Sequence, residues 1–323
     1  MLGPQAGSIL VVGGTHGNEP NAPWLLKQWQ YQPDDLQHSN FVLQLVHGNP
    51  EALADCRRYI ERDLNRSFAA ALLAEADQCS LEVRRARELL QAHGPEGVSP
   101  ALVALDLHTT TAAMGNSLVV YGRRPADLAL AAGIQQRLGL PVYLHEADQA
   151  QQGFLVECWP CGLVIEVGPV PQGLLHAGIC RMSQLALEAA LAVLDLAAAG
   201  SLRLPPALVV HRHLGSVDLP RHADGTPAAL LHPRLQGGDW SPLRPADPVF
   251  LAAAGHAIPL AAVLPSRLRG EPCFWPVFIN EAAYGEKGIA FSLTRRERWP
   301  LDEQALVALQ GVAQALQRRQ VSP

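Results

Sequence analysis

Two histidines and two glutamates stand where apolar strands run out. In VVGGTHGNEP, residues 11–20, His16 and Glu19 lie three apart at a strand-to-helix junction. Side chains at i and i+3 of a helical turn project from one face, so an imidazole and a carboxylate there can close on one cation. A surface loop can carry such a pair too, so a second anchor is needed. ALVALDLHTTT, residues 101–111, supplies one: an apolar strand leads into Asp106 and His108. Ligands of open α/β sheets sit outside the carboxyl ends of the strands, and both histidines fall at that edge. Two histidines and a glutamate with one position left open form a catalytic zinc set. Asp106, two residues back on the same strand face, suits either an outer partner of the imidazole or a structural hydrogen-bond acceptor. His211 and His213 are a weaker metal pair, since no carboxylate neighbours them.

A third segment, CGLVIEVGPVPQG at 161–173, places Glu166 inside an otherwise apolar strand. Burial raises a carboxyl pKa toward the value that a general base needs near neutral pH. Pairing with an arginine is the structural alternative, and a base beside an activated water is the sharper reading. A fourth segment, CRRYIERDLNRSF at 56–68, holds arginines at 57, 58, 62 and 66 around Asn65. Guanidinium groups bind carboxylates through paired hydrogen bonds, so an arginine aimed into a zinc pocket selects an acidic substrate or stabilises an oxyanion. Cys158 and Cys161 form a CxxC that precedes the Glu166 strand instead of opening a helix after one, which disfavours redox use.

The elements that must position these residues alternate through the first two hundred residues. Apolar runs at 8–13, 41–46, 102–107, 117–121, 141–144 and 163–167 read as strands, several of them continuous enough to be buried on both faces. Spacings of three and four predict helices over 20–30, 69–92, 125–138 and 179–199. The fold class is therefore α/β, a mainly parallel sheet covered by helices. After Gly200 prolines punctuate short β-rich pieces such as 207–213 and 257–263, which predicts a boundary near 203 and a smaller β-rich domain over 204–323. Residues 301–319 read as a closing amphipathic helix, acidic at Asp302 and Glu303 and basic at Arg318 and Arg319.

Composition bounds the partners. At ~150 residues per domain, 323 residues make about two domains. A 48% hydrophobic and 17% charged chain is an ordinary globular one. A net charge of −5 gives no basic field for nucleic acid, so a small-molecule partner is expected. The opening segment lacks a cationic region, and neither 185–199 nor 249–264 reaches the ~20 apolar residues of a membrane span. A cytoplasmic, reducing compartment with free thiols follows as the expectation.

The segments GGTHGNEP, NPEAL, DLNR, DLHTTT, IEVGP and PVFINEAAYGEK, in this order from residue 13 to residue 287, carry a resemblance. The chain resembles the aspartoacylase and succinylglutamate desuccinylase family, whose catalytic domain is similar to zinc carboxypeptidases. The resemblance implies one zinc per chain held by His16, Glu19 and His108, with Glu166 as base and proton shuttle. It further implies Arg58 on the scissile carbonyl oxygen, and Asn65, Arg66 and Tyr284 around the substrate's carboxylates, so that the second domain walls the pocket. The implied reaction is amide hydrolysis of an N-acyl amino acid, N-acetyl-L-aspartate foremost. Alternatives are a deacylase of neutral or aromatic N-acyl amino acids, a desuccinylase, or a non-catalytic zinc-binding protein of this fold. Related enzymes tend to be dimers or larger. Two departures bear on the substrate. Residues 147–165 contain no Arg or Lys where the family carries another carboxylate-binding arginine, and Thr109 stands where the family pattern has Asn.

Overall fold

The computed structural model describes residues 7–36, 40–75, 77, 80–146 and 151–318. The strands are β1 (Ser8–Gly13), β2 (Leu43–His47), β3 (Ala101–Thr109), β4 (Gly115–Tyr121), β5 (Val142–His145), β6 (Cys161–Gly168), β7 (Ala207–Val217), β8 (Ala229–Leu231), β9 (Pro248–Ala252), β10 (Ala257–Pro259), β11 (Trp275–Val277) and β12 (Phe291–Pro300). The helices are α1 (Asn21–Tyr31), α2 (Pro50–Ala54), α3 (Ala70–Ala74), α4 (Leu81–His93), α5 (Pro125–Leu138), α6 (Ala177–Ala198), α7 (Leu260–Val263) and α8 (Glu303–Arg318).

Nine strands form one mixed sheet in the order β11-β12-β7-β5-β4-β6-β3-β1-β2. The pairings of β1 with β2 and β3, β3 with β6, and β4 and β7 with β5 are parallel; β4 with β6 and the pairs made by β12 are antiparallel. This is the mainly parallel, helix-covered sheet expected. Val, Ile and Leu fill β1 and β6 because both faces are covered. On one face α1, α5, α6 and α8 bury a core that includes Leu26, Leu130, Leu194 and Leu309. On the other, α4 and the loops bury Leu64, Phe68, Leu89, Trp159 and Phe278.

The chain beyond 203 does not stand apart from this sheet. β7 continues it by pairing with β5, and β12 and β11 extend its edge. The separate three-stranded sheet β10-β9-β8 packs its own cluster around Val249, Phe250 and Phe291. Helix α8, started by Asp302 accepting the Ala305 amide at 2.9 Å, returns to cover α5 and α6; Arg319 lies outside the described residues. Helix α6, at 22 residues, has the length and composition of a membrane span, but here it packs against α1, α5 and α8.

Two expected elements differ. The helix expected over 69–92 is two helices, α3 and α4, because Glu75 turns extended and Ser80 opens a new N-terminus. The restart lets Glu82 face inward instead of along a surface. The strand expected over 257–263 stops at Pro259, beyond which the chain turns into α7.

Because α8 belongs to the main core, Leu309→Ala, at a fully buried position, is expected to lower stability by ~3 kcal/mol. Val307→Ala, at a side chain 57% exposed, should stay within ~0.5 kcal/mol. Urea unfolding of the two variants checks this, and equal midpoints would contradict the packing.

Candidate active site and metal centre

Backbone geometry comes first. β1 ends at Gly13, and THGN forms the turn into α1. Gly17 is required there, since a Cβ would lie 2.0 Å from the Ala52 carbonyl oxygen. That close approach lets the turn lean on α2 while His16 and Glu19 swing over the strand ends. β3 lies beside β1, and β6 beside β3 with His108 opposite Glu166. The parallel register therefore brings His16, Glu19, His108 and Glu166 to one edge.

The three ligand candidates offer atoms that lie within 4.8 Å of one another, and all three residues are buried. His16 Nε2 is 3.0 Å from Asp63 Oδ1, and His108 Nε2 is 2.7 Å from Asp106 Oδ2. A carboxylate on Nε2 keeps the proton there and turns the Nδ1 lone pair to the other side. Both Nδ1 atoms face Glu19, at 2.7 Å from Oε1 and 3.4 Å from Oε2. Three acceptors converging on one point suit a cation, so this donor set fits zinc. Asp106 is further fixed by the Thr15 hydroxyl at 2.8 Å, and Glu19 Oε2 by the Thr109 amide at 2.8 Å. The residue at the departure thus contributes its backbone to the site.

The electrostatics agree. Burial would raise the Glu19 pKa, but His16 and His108 outweigh it and hold the group well below the carboxylate range. Burial would likewise lower His108, but Asp106 and Glu19 hold it well above the ordinary imidazole value. Positive charge is what this point demands. Glu166 behaves oppositely: burial pushes its carboxyl up to about 8, with Glu19 and Glu281 adding repulsion that His108 and Arg58 only partly offset.

Arg58 reaches Asp63 Oδ2 at 3.2 Å and Glu19 Oε1 at 3.6 Å, so its guanidinium stands beside the ligand group. Arg57 is exposed, and Arg62 lines a neighbouring groove. Arg66 donates to Gln151 Oε1 and to the Asn65 carbonyl, both at 2.7 Å, and lies over the Phe154 ring. Asn65 Oδ1 accepts the Leu155 amide at 2.9 Å, which ties the 56–68 segment to the run that precedes β6. One cavity is lined by His16, Glu19, Arg58, Asn65, Arg66, His108, Glu166 and Tyr284, so the eight residues that the resemblance implies meet there. Cys158 and Cys161 are free thiols. Burial pushes Cys158 up to about 11 and Cys161 well above the ordinary thiol value, which disfavours the thiolates that redox exchange needs.

Four contributions were not foreseen. Asp63 holds His16 and Arg58 and meets Lys287 Nζ at 3.5 Å. Glu281 accepts the Thr110 hydroxyl, the Thr111 amide at 2.8 Å and the Ala112 amide at 3.3 Å, pinning the 276–287 segment to the end of β3. Glu82, wholly buried, accepts the amides of Ile60, Glu61 and Arg62 at 2.7, 3.2 and 3.1 Å and Asn49 Nδ2 at 3.2 Å. It sets the loop that carries Arg58. The remaining lining includes Val119, Tyr121, Tyr143, His145, Phe154 and Phe278, and only the apolar runs 117–121 and 141–144 hinted at this wall.

Comparisons with known proteins agree with this geometry. A family model described as the succinylglutamate desuccinylase/aspartoacylase catalytic domain matches residues 5–194, and one described as the AstE/AspA barrel-sandwich hybrid domain matches 206–296. A probable aspartoacylase of Parasynechococcus marenigrum (strain WH8102) is 59% identical over 306 residues, covering 94% of this chain and 98% of its own. One from Prochlorococcus marinus (strain MIT 9313) is 56% identical, covering 94% and 97%. Among solved structures, murine aminoacylase 3 superposes with a TM-score of 0.79 at 35% identity, over 92% of this chain and 97% of that one. The succinylglutamate desuccinylase of Chromobacterium violaceum shares the fold at a TM-score of 0.55 and 18% identity, over 91% and 86%.

Glu82→Ala leaves several backbone amides without their acceptor and is expected to cost about 3 kcal/mol. Glu88→Ala, on the exposed side of the same helix, should cost under ~0.5 kcal/mol. Denaturant unfolding measures both, and a neutral Glu82→Ala would show that the loop holds itself.

Proposed function

The chain belongs to the succinylglutamate desuccinylase/aspartoacylase family, and on that premise we propose that it is a zinc-dependent hydrolase of N-acyl amino acids whose side chains are neutral and aromatic. Deacylation of small N-acyl amino acids is the activity the family supports; the metal and the side chain are our reading. His16, Glu19 and His108 would hold the ion. When bound, zinc polarises the amide carbonyl and lowers the pKa of a water toward ~7. Glu166 takes the proton of the water whose oxygen adds to the carbonyl carbon. Arg58 donates to the carbonyl oxygen as negative charge builds on it. Glu166 then passes its proton to the amide nitrogen, the C–N bond breaks, and a carboxylate and an amine leave. A carboxyl with a raised pKa suits this shuttle, because it both accepts and returns a proton near neutral pH.

The observation that carries the side-chain choice is the cavity lining. Arg58 and Arg66 are its arginines among the described residues, and no lysine joins them. If Arg58 serves the carbonyl and Arg66, with Asn65 and Tyr284, serves the α-carboxylate, no arginine is left for a second carboxylate. An unpaired buried charge costs several kcal/mol. Tyr121, Tyr143, Phe154 and Phe278 instead offer rings. The structural similarity to an aminoacylase supports deacylation of an N-acyl amino acid. The second reading, N-acetyl-L-aspartate, is favoured by the relatives described as probable aspartoacylases. On either reading the chain divides near 203 into a catalytic part, 1–203, and a part, 204–323, that lends Phe278, Glu281 and Tyr284 to the wall.

Amine release from N-acetyl-L-phenylalanine should exceed that from N-acetyl-L-aspartate in kcat/KM, and a chelator should abolish both until zinc is restored. A preference for aspartate would establish the second reading, and chelator-resistant turnover would remove the metal. Glu166→Gln is expected to lower kcat at least ~1000-fold with zinc content unchanged, whereas His108→Ala should lose the zinc; elemental analysis reads both.

A further inference from the structure

The two arginines of the cavity carry their charge differently. Arg58 is ion-paired, its guanidinium 3.2 Å from Asp63 Oδ2 and 3.6 Å from Glu19 Oε1. Arg66 has no carboxylate within pairing distance among the described residues. Its two bonds, both 2.7 Å, run from Nη1 to the Asn65 carbonyl and from Nη2 to Gln151 Oε1, and its flat face rests on the Phe154 ring with Cζ 4.2 Å from the centroid. A guanidinium offers five N–H donors, so these two bonds leave three. Neutral acceptors and an aromatic face hold the group in place without cancelling its charge.

The neighbouring groups register that charge. Burial pushes the Tyr121 and Tyr284 phenols up and the Lys287 ammonium down to about 8, and in each case the Arg66 charge is the next largest influence. It opposes burial at the two phenols and reinforces it at the ammonium, as an uncancelled positive charge must.

The groups that hold Arg66 are themselves fixed. Asp63 Oδ1 accepts the Asn65 amide at 3.0 Å and Asn65 Oδ1 accepts the Leu155 amide at 2.9 Å, so the Asn65 carbonyl is locked between the turn Leu64–Arg66 and the run before β6. Tyr121 stacks on Phe154 at 3.7 Å, which backs the ring under Arg66 with a second ring. Gln151, half-buried, lines the catalytic cavity and two grooves that adjoin it, and it belongs to the stretch 147–165 that holds no Arg or Lys. The chain thus meets Arg66 with an amide oxygen at a point where a carboxylate of the same size would neutralise the guanidinium.

We propose that Gln151 is a specificity-determining positioning residue: by holding Arg66 through a neutral oxygen it keeps the guanidinium charge for the substrate's α-carboxylate, and so selects free acids over their amides. This rests on the deacylase reading above and on its placing of Arg66 at that carboxylate. The α-carboxylate is common to all N-acyl amino acids, so the selection holds whichever side chain follows. A charge-assisted hydrogen bond is roughly twice as strong as a neutral one. The carboxylate therefore gains most from a guanidinium that is already fixed in place and not yet paired.

Two substitutions separate charge from shape. Gln151→Glu keeps the size and the acceptor oxygen and adds a charge that pairs with Arg66, whereas Gln151→Ala removes the tether and adds no charge. The substrate is whichever of N-acetyl-L-phenylalanine and N-acetyl-L-aspartate the zinc-loaded protein hydrolyses faster. Gln151→Glu is expected to raise its KM at least ~10-fold and Gln151→Ala about threefold, with kcat within about threefold in both. A residue that only held Arg66 in place would give the reverse order, because a carboxylate grips a guanidinium more tightly than an amide does. N-acetyl-L-phenylalaninamide, which lacks the carboxylate, should inhibit the unaltered protein and Gln151→Glu equally. Zinc content, read by elemental analysis, should be the same in all three proteins, which keeps the metal centre out of the comparison. An unchanged KM in Gln151→Glu, a larger rise in Gln151→Ala, or an equal loss for the amide would overturn the proposal while leaving the deacylase reading intact. If no N-acetyl amino acid is hydrolysed, the deacylase reading is what fails. Gln151 is then judged by calorimetric binding of N-acetyl-L-phenylalanine and its amide to the same three proteins, where an acid preference that survives Gln151→Glu would overturn it.

Discussion

Buried carboxylates organise this molecule. Glu19, Asp63, Glu82, Asp106, Glu166 and Glu281 all lie below the surface at or beside one edge of the sheet. None can remain there ionised without a partner, because desolvating a carboxylate costs several kcal/mol even after the protein relaxes. Each is met in a different way. Asp63 and Asp106 are held by imidazoles, Glu82 by backbone amides, and Glu281 by hydroxyls and amides at the end of β3. Glu19 faces two nitrogen lone pairs and suits a cation. Glu166 meets its burial differently, its carboxyl pushed up to about 8, so that it exchanges a proton near neutral pH. The division between candidate ligand, orienting partner, loop anchor and proposed base follows from which compensation each location offers.

The same constraint connects distant parts of the chain. Glu82 is on α4, yet its partners lie in the loop before Asp63, so a helix on one face of the sheet sets where Arg58 stands. Glu281 belongs to the segment before β12, yet its partners are the threonines after His108. The ligand edge is consequently braced from both sides by interactions made between elements far apart in sequence. Along the opposite wall the compensation changes character: rings and the Tyr143 hydroxyl replace charges, and the cavity grades from ionic at β3 to aromatic at β5.

How much of this was legible in the sequence depended on whether a residue announced its own surroundings. Glu166 did, because a lone acid in CGLVIEVG contradicts its neighbours. His16, Glu19 and His108 did, because ligand types fall at the ends of apolar runs. Glu82 did not: in LEVRRARELL it looks like any solvated helix residue, and only a loop folded onto it makes it a buried anchor. The break between α3 and α4 was hidden for the related reason that apolar spacing continues on both sides. Tyr143 and His145 stand in plain view in VYLH, but their place in the wall follows from a strand order in which β5 lies beside β4 and β7. Pairing between strands that far apart leaves no periodic trace. The continuation of the sheet through β7 escaped notice in the same way, since the composition changes near 203 while the hydrogen-bonded ladder does not.

That continuity bears on how the protein comes into being. Chains emerge from the ribosome in order, and domains generally fold as units as they appear. Here the helix that covers α5 and α6 is α8, more than a hundred residues downstream of the last of the strands that carry the candidate ligands and the proposed base. The earlier portion therefore leaves the ribosome with an apolar flank uncovered, and the flank stays open until residue 318 has been made. For that interval the apolar flank is exposed, the condition under which incompletely folded chains are prone to aggregate.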